Sequence, residues 1–184
     1  MINCKELKII DFSLLTLLTN IGYNFMENCK MLETIIFPRL SLITNIGFNF
    51  LNNCENLQQI NLSELIELKN IDNNFMKNCK KLETLDLSGL TSVKNIGNDF
   101  LNNCENLQTI ILSGLIELET IGNNFMKNCK KLEIIDFSQL TKLNSIGIYF
   151  MADCTNLKTI ICRNNQKSIL SNAYKKKITM LINE

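Results

Sequence analysis

The segment that decides the fold is Cys79-Lys80-Lys81-Leu82-Glu83-Thr84-Leu85-Asp86-Leu87-Ser88-Gly89-Leu90. From Leu82 to Leu90 it has the form L-x-x-L-x-L-x-x-L. Apolar and polar residues alternate around Leu85, which predicts a short β-strand with one buried face. The Ser88-Gly89 pair that follows predicts a turn.

The same pattern returns along almost the whole chain, and a cysteine marks the start of each copy at a constant interval. The marking residues are Cys4, Cys29, Cys54, Cys79, Cys104, Cys129 and Cys154. A leucine follows each cysteine by three positions, and a phenylalanine recurs 21 positions after each of the first six. A fixed period of this size indicates a repeat protein in which stacked units share one core.

A second period spans two units. The stretch from Phe75 to Glu83 recurs unchanged from Phe125 to Glu133, and the stretch from Phe50 to Gln58 recurs from Phe100 to Gln108. Blocks of two units have therefore been duplicated.

The remainder of one unit is predicted to return the chain to its start. Asn95-Ile96-Gly97 predicts a second short extended segment, closed by a glycine suited to positive φ. The residues from Asn98 to Asn103 predict one short helical or 3₁₀ turn.

The unit resembles a leucine-rich repeat, and Ile96-Gly97-Asn98-Asp99-Phe100-Leu101-Asn102-Asn103-Cys104-Glu105-Asn106-Leu107 is similar to the BspA-like subtype. That subtype carries I-G-x-x-A-F-x-x-C-x-x-L and a proline after the strand. Here Asn or Asp usually replaces the alanine, only Pro38 keeps the proline, and the unit is about two residues longer. The resemblance covers Cys4 to Ile161.

This resemblance implies an α/β repeat fold, a right-handed solenoid with short parallel strands on its concave face. Short helical or 3₁₀ turns or extended segments are expected on the convex side. We expect about seven units over residues 1–161, and a C-terminal helical cap or tail over 162–184. Many relatives act in surface adhesion or host contact, and others are intracellular or viral.

Composition excludes several kinds of function. The 184-residue chain has no histidine, which removes the usual catalytic triads and histidine zinc sites. Its net charge of +1 argues against a nucleic-acid partner. Asp86 and Asp136 lie two units apart on a flat sheet without a cleft, so we expect no enzyme and no cofactor or metal.

The cysteine and asparagine columns have structural interpretations. Cysteine shares the phase of the apolar columns, so buried free thiols are predicted. Disulfides and metal binding are the alternatives. For asparagine, a column such as Asn28, Asn53, Asn78, Asn103 and Asn128 predicts amides that bond one another and turn backbone, with carbohydrate or ion ligation as the alternative.

Residues that flank the buried strand positions are the candidate partner site, because they point outward from the sheet. Three outward columns over seven strands give about 300–400 Å², less than the ~800 Å² per partner of a standard interface. Loops or a neighbouring copy would have to contribute. The alternative is a merely solvated sheet. The candidate residues are Thr34, Ile36, Gln59, Asn61, Ser63, Thr84, Asp86, Ser88, Thr109, Ile111, Ser113, Asp136 and Ser138.

The two ends differ. Leu170, Tyr174, Ile178 and Leu181 recur at helical spacing after Ser168 or Ser171 as possible N-caps, which predicts a helix that covers the last unit. A basic helix that binds a membrane or a partner is the alternative, given Lys175 to Lys177. No cap is visible before the first unit, so self-association through the N-terminal end is a further possibility.

No signal peptide or membrane span is visible, so a cytoplasmic location is expected if residue 1 is the native start. The leading functional hypothesis is a non-catalytic scaffold that binds a protein. The alternative is a structural or self-associating array without a dedicated ligand.

Overall fold

The computed structural model describes residues 1–37, 41–174 and 178–183. Of the predicted positions, Pro38 and the run from Lys175 to Lys177 lie outside them. The repeating units contribute strands to two parallel ladders, so the chain forms the leucine-rich-repeat solenoid that the sequence predicts.

The first ladder carries the longer strands, as Leu82 to Leu90 predicts. Its strands pair in parallel at equivalent positions, for example Leu85 with Ile110. The ladder is divided into separate sheets, because the strand of Thr109 does not pair with that of Ile134. The third unit has no full strand and joins the ladder by a single bridge from Thr34 to Gln59. The strands are β1 (Ile9–Asp11), β3 (Thr34–Ile36), β6 (Thr84–Asp86), β8 (Thr109–Ile111), β10 (Ile134–Asp136), β12 (Thr159–Cys162) and β13 (Thr179–Ile182).

The second ladder consists of six two-residue strands, most of them built on the Asn-Ile positions. Its isoleucines face the core, and Ile71, Ile96 and Ile121 are each at most 2% exposed. The strands are β2 (Asn20–Ile21), β4 (Asn45–Ile46), β5 (Asn70–Ile71), β7 (Asn95–Ile96), β9 (Thr120–Ile121) and β11 (Ser145–Ile146).

One apolar core runs between the two ladders. The phenylalanine column forms a continuous stack, with ring centroids 5.7 Å apart for Phe75 and Phe100 and 5.3 Å apart for Phe100 and Phe125. Cys4 is a half-buried free thiol in the first unit. The later cysteines of the column are buried, Cys154 included. Cys29, Cys54, Cys79, Cys104 and Cys129 are buried free thiols, as predicted.

The segment from Asn98 to Asn103 is not the helical turn that we predicted. Positive φ occurs at alternate residues, Asp99, Leu101 and Asn103. The backbone N–H of Asp99 donates to Asn123 O at 2.8 Å in the next unit, and that of Leu101 donates to Phe75 O at 3.1 Å in the preceding unit. A helix would use these donors internally, so the alternation arises because the bonds run between units.

The prediction of positive φ at Gly97 is also wrong. No described glycine has positive φ. Glycine is needed there because the units approach closely: a Cβ on Gly97 would lie 2.8 Å from the backbone N of Asn73. At the equivalent position of the third unit stands Asp72, and the second ladder is interrupted there, since β4 and β5 belong to different sheets.

The C-terminal region contains helix α1 (Asn164–Ala173) and then β13, which pairs in parallel with β12. The helix therefore begins earlier than Ser168 and ends before Ile178, contrary to the predicted extent. Gln166, which is 1% exposed, donates to Phe137 O and Leu140 O and accepts from Arg163 N. Leu170 and Tyr174 are buried against the last unit.

The first unit lacks such a cover. Leu15 is 47% exposed, whereas its counterparts Leu65, Leu90 and Leu115 are fully buried. The solenoid thus has one covered end and one end where core side chains reach solvent.

A column of alternating charge runs along the outside of the units, through Lys30, Glu55, Lys80, Glu105 and Lys130. Nζ–Oε distances are 2.8 Å for Lys30 with Glu55, 2.8 Å for Lys80 with Glu55 and 2.9 Å for Lys130 with Glu105. Hydrogen bonds from Lys30 and Lys80 hold the pKa of Glu55 below its ordinary value.

Candidate functional site

The outward face of the first ladder, here called the strand face, carries the residues that the sequence singled out. Most of them are exposed, while Thr34 and Ser63 are half-buried. Ser138 is an exception at 2% exposure, because Arg163 lies over it and donates from Nε to Ser138 O at 2.8 Å. The exposed residues are Ile36, Gln59, Asn61, Thr84, Asp86, Ser88, Thr109, Ile111, Ser113 and Asp136.

Two of the exposed carboxylates also have a local structural role. Asp86 Oδ1 accepts from Ser88 N at 2.8 Å, and Asp136 Oδ1 accepts from Ser138 N at 2.7 Å. These bonds fix the turn that ends each strand. Each carboxylate keeps its second oxygen for solvent or a partner.

The strand face borders two depressions at the side where its strands begin. The first has a volume of about 470 Å³, and the second about 840 Å³. The first is lined by Gln58, Gln59, Lys81, Glu83, Thr84, Asn106 and Lys131. The second is lined by Gln108, Thr109, Ile110, Lys131, Glu133, Ile134, Asp136 and Asn156.

The two depressions are copies of one another, displaced by two units. Gln58 corresponds to Gln108, Lys81 to Lys131, Glu83 to Glu133 and Asn106 to Asn156. Four of the residues predicted from the outward columns line these depressions: Gln59, Thr84, Thr109 and Asp136. The sequence reasoning missed the polar border of glutamine, lysine, glutamate and asparagine.

A signal for that border was present in the sequence. Lys81 and Glu83 end one duplicated block, Lys131 and Glu133 end its copy, and Gln58 and Gln108 end the other pair of blocks. A period of two units along one face predicts a pair of equivalent surface sites. Only the structure shows that those sites are depressions.

The charges of the depressions are unequally neutralised. Glu133 forms an ion pair with Lys158 at 2.8 Å. Over the described ranges, no ion pair within 4 Å involves Lys81, Lys131 or Glu83. Each depression thus presents an ammonium group and a carboxylate that form no ion pair within the described ranges: Lys81 and Glu83 in the first, Lys131 and Asp136 in the second.

A third concavity, of about 630 Å³, lies between α1 and the last unit. Ile148, Phe150, Ile169 and Tyr174 line much of it, and Asp153 is its charged side chain. It has no counterpart among the other described units and belongs to the junction with the C-terminal region.

The deeply buried thiols are poor nucleophiles. Burial raises the pKa of Cys54 and of Cys104 to about 12, so both remain protonated at neutral pH. In the part of the chain that the structure covers, no three Asp, Glu or Cys side chains form a metal-binding group. Of the helices described there, none has the length and apolarity needed to cross a bilayer.

Two solved structures share the fold. A leucine-rich repeat protein from Bacteroides ovatus ATCC 8483 matches with a TM-score of 0.55 and 20% identity, covering 87% of this chain and 50% of that one. A leucine rich cell surface protein from Faecalibacterium prausnitzii A2-165 matches with a TM-score of 0.60 and 20% identity, covering 85% and 43%. The chain thus spans half or less of their length.

The sequence has no significant match among curated proteins. The model of the BspA type leucine rich repeat region, in six copies, matches residues 2–95 and 69–182. These residues make up nearly the whole chain, and the protein therefore belongs to the BspA-type leucine-rich-repeat family.

Proposed function

We propose that the protein is a non-catalytic scaffold that binds a protein or peptide partner along the strand face. The observation that carries this proposal is the pair of equivalent polar depressions on a rigid parallel frame. The site is built from side chains that point to solvent at equivalent positions of stacked units.

The depressions enlarge the surface that the three outward columns offered. Including the border residues, the face extends about seven residues, or ~20 Å, along each strand. Across six units this is on the order of 600 Å², near the ~800 Å² per partner of a standard interface. The strand face is therefore large enough for a weak or peptide-sized interaction.

Affinity capture from lysate tests the site. In one variant Thr84, Asp86, Thr109 and Ile111 are replaced by lysine. In the control, lysine replaces Glu67, Thr91, Ile116 and Thr141, which are exposed positions of the same chemistry in the loops between the ladders. We expect the first variant to lose the partners and the control to keep them. Partners that survive the first variant would place the interaction elsewhere.

A second copy of the chain is the other candidate partner, favoured by leucines near the uncovered end. Leu14 and Leu17 are 92% and 83% exposed, at positions that hold polar residues or glycine from the third unit on, beginning with Glu64 and Glu67. Leu42 has a unit on either side and is still 47% exposed. Stacking a further unit would thus leave this patch exposed.

Light scattering over a range of concentrations tests that candidate. If the patch joins two copies, the mass rises towards that of a dimer, and Leu14→Glu with Leu17→Glu restores the monomer. A monomer at every concentration would remove the second candidate.

A further inference from the structure

The second ladder ends in a row of backbone groups that interior units use to bind the next unit. Residues 94–103 exchange hydrogen bonds of 2.8 Å with residues 119–128, through acceptors Lys94 O, Ile96 O and Phe100 O and donors Asp99 N and Asn103 N. In the last unit the corresponding groups have no backbone partner among the described residues. They are Asn144 O, Ile146 O, Phe150 O, Tyr149 N and Asp153 N.

The C-terminal region covers only part of this end of the solenoid. Strand β13 pairs with β12 and so continues the first ladder, whereas β11 is the edge strand of its sheet. Ile146 of β11 is half-buried, although its counterpart Ile121 is 2% exposed. Helix α1 contacts β11 and leaves the concavity of about 630 Å³ between itself and the last unit. The end of the second ladder therefore remains accessible.

The side chains around this open edge differ from those of the preceding unit. Ile148 and Tyr149 line the concavity and are 64% and 60% exposed. The equivalent positions of the preceding unit hold Asn123 and Asn124. Apolar side chains thus reach solvent beside unpaired strand groups, and both features favour the addition of an extended segment.

The charge at the edge also differs. Asn128 Nδ2 donates to Asn103 Oδ1 at 2.7 Å and continues the asparagine column. Asp153 takes the next position of that column, lines the concavity and forms no ion pair within the described ranges. A segment that binds here therefore meets a carboxylate, which favours a basic side chain.

A complete further unit is not matched to this end. The exposed side of α1 would lie between the two cores, and it is polar. Leu15 at the uncovered end of a second copy, for example, would face amide, hydroxyl and ammonium groups. The exposed residues of α1 are Asn164, Asn165, Lys167, Ser168, Ser171 and Asn172. A single extended segment needs only the edge and the concavity.

We propose that residues 144–153 bind an extended peptide as a further parallel strand of the second ladder. The peptide places an apolar side chain in the concavity and a basic side chain at Asp153. The backbone bonds repeat those between residues 94–103 and 119–128. This site shares no residue with the strand face and gives the scaffold a second place for a partner.

The test uses a peptide that copies residues 119–128, with lysine in place of the last asparagine: acetyl-Glu-Thr-Ile-Gly-Asn-Asn-Phe-Met-Lys-Lys-amide. The control peptide has the same side chains, but its glycine and methionine are N-methylated, which removes the donors for Ile146 O and Phe150 O. Amide chemical shifts of the full chain are followed during titration. We expect at least about tenfold weaker binding of the control, because two hydrogen bonds are lost.

Amide hydrogen exchange gives an independent measurement. The unmodified peptide should protect the amides of Tyr149 and Asp153, because these donate to it. Ile148→Asn combined with Tyr149→Asn restores the residues of the preceding unit and should weaken binding. A peptide that ends in asparagine should bind about threefold more weakly than the one that ends in lysine, as one exposed ion pair allows. Asp153→Asn should abolish that preference.

Equal binding of the two backbones, or shifts that avoid residues 144–153, would overturn the inference. Protection of the Tyr149 amide in the protein alone, together with a rise in mass at high concentration, would show that a second copy fills the edge and that the peptide is the wrong occupant. The variant with lysine at Thr84, Asp86, Thr109 and Ile111 should bind the peptide unchanged, because the strand face is a separate surface.

Discussion

Asn78 shows why asparagine recurs where the chain turns between the ladder strands. Its φ is +61°, a left-handed conformation that asparagine tolerates better than most residues. Its Nδ2 donates to Asn53 Oδ1 at 2.6 Å, and its Oδ1 accepts from Asn103 Nδ2 at 2.8 Å. One residue thus satisfies the backbone geometry and links three units, which confirms the structural interpretation of this column.

Two variants of Asn78 separate these contributions. Asn78→Ala loses two hydrogen bonds at about 1 kcal/mol each and adds left-handed strain of about 1–2 kcal/mol. We expect its free energy of unfolding in urea to fall by about 3 kcal/mol. Asn78→Gly removes the strain but not the bond loss, so it should be milder by about 1 kcal/mol. Equal losses would show that the backbone conformation contributes nothing.

The cysteine column has a comparable role inside the core. Cys54 Sγ donates to Met26 O at 3.1 Å, and Cys104 Sγ donates to Met76 O at 3.2 Å. Both carbonyls belong to residues with positive φ, since Met26 and Met76 lie at +57° and +52°. The thiol is small enough for the core and still supplies a weak donor.

Stability should therefore fall at high pH. Burial raises the pKa of Cys54 and Cys104 to about 12, whereas a thiol in the unfolded chain loses its proton near a pH of about 8.5–9. Above about pH 9 the unfolded state binds fewer protons, so the free energy of unfolding decreases until about pH 12.

Cys54→Ala tests this by urea unfolding between pH 8 and pH 11. The variant should show a shallower decrease, by up to about 1.4 kcal/mol per pH unit, and Cys104→Ala should behave alike. An unchanged slope in both variants would show that these thiols ionise equally in the folded and unfolded states.

At the scale of the element, the second ladder depends on close approach between successive units. Gly97 N donates to Ile71 O at 2.7 Å, and its missing side chain leaves room for the backbone of Asn73. A Cβ added to Gly22 in the first unit would have nothing within 4 Å. The two glycines therefore have the same sequence context and different surroundings.

Gly97→Ala and Gly22→Ala form a matched pair. Gly97→Ala should lower the free energy of unfolding by about 1–3 kcal/mol through overpacking, visible as a drop of several degrees in Tm. Gly22→Ala should be neutral or slightly stabilising, because alanine restricts the unfolded chain more. Similar effects of both changes would contradict the close approach seen at Gly97.

Asp72 offers the reverse experiment, since it stands where the ladder is interrupted between Ile46 and Ile71. Asp72→Gly should allow β4 and β5 to pair and join the two sheets. The gain of about 1 kcal/mol per bond is largely offset by the entropy of glycine. Amide hydrogen exchange at residues 70–72 is therefore the better measurement, and unchanged protection there would show that another contact separates the strands.

Elements whose partners occupy equivalent positions of adjacent units could be predicted from the sequence. Elements that are fixed by hydrogen bonds to backbone groups at other positions could not. The constant interval between units sets Leu85 opposite Ile110 and buries Cys79 and Cys104. The prediction for Asn98 to Asn103 was wrong because its bonds run to other units. Helix α1 begins at Asn164 because Gln166 bonds carbonyl groups 26 and 29 residues away. The depressions lie where adjacent strands do not pair, between Gln59 and Thr84 and between Thr109 and Ile134, and the constant repeat does not predict those interruptions.

At the scale of the whole molecule, Gln166 covers the last unit with a single polar side chain. It satisfies the carbonyl groups of Phe137 and Leu140 and the amide of Arg163 at 2.7–2.9 Å. The two carbonyl groups also accept from Leu140 N and Leu143 N, so the amide of Arg163 is the group that depends most on this buried side chain. The covered end therefore depends on a few specific bonds.

Gln166→Leu should lower the free energy of unfolding by about 1–3 kcal/mol, the cost of leaving one buried group, Arg163 N, unsatisfied. Gln166→Glu keeps the acceptor for Arg163 N but sets a carboxylate against two carbonyl oxygens. It should be at least as destabilised at pH 7 and partly recover near pH 4, where a protonated acid can donate. Full stability of Gln166→Leu in urea would contradict this role.

The alternating charge column restricts how such an array can lengthen. Every lysine from Lys30 to Lys130 stands beside a glutamate of the adjacent unit, so inserting one unit would set two like charges side by side. Inserting two units preserves the alternation at both junctions. Adding units two at a time is therefore tolerated electrostatically. The regular alternation of charge in the present sequence is what such paired additions would leave.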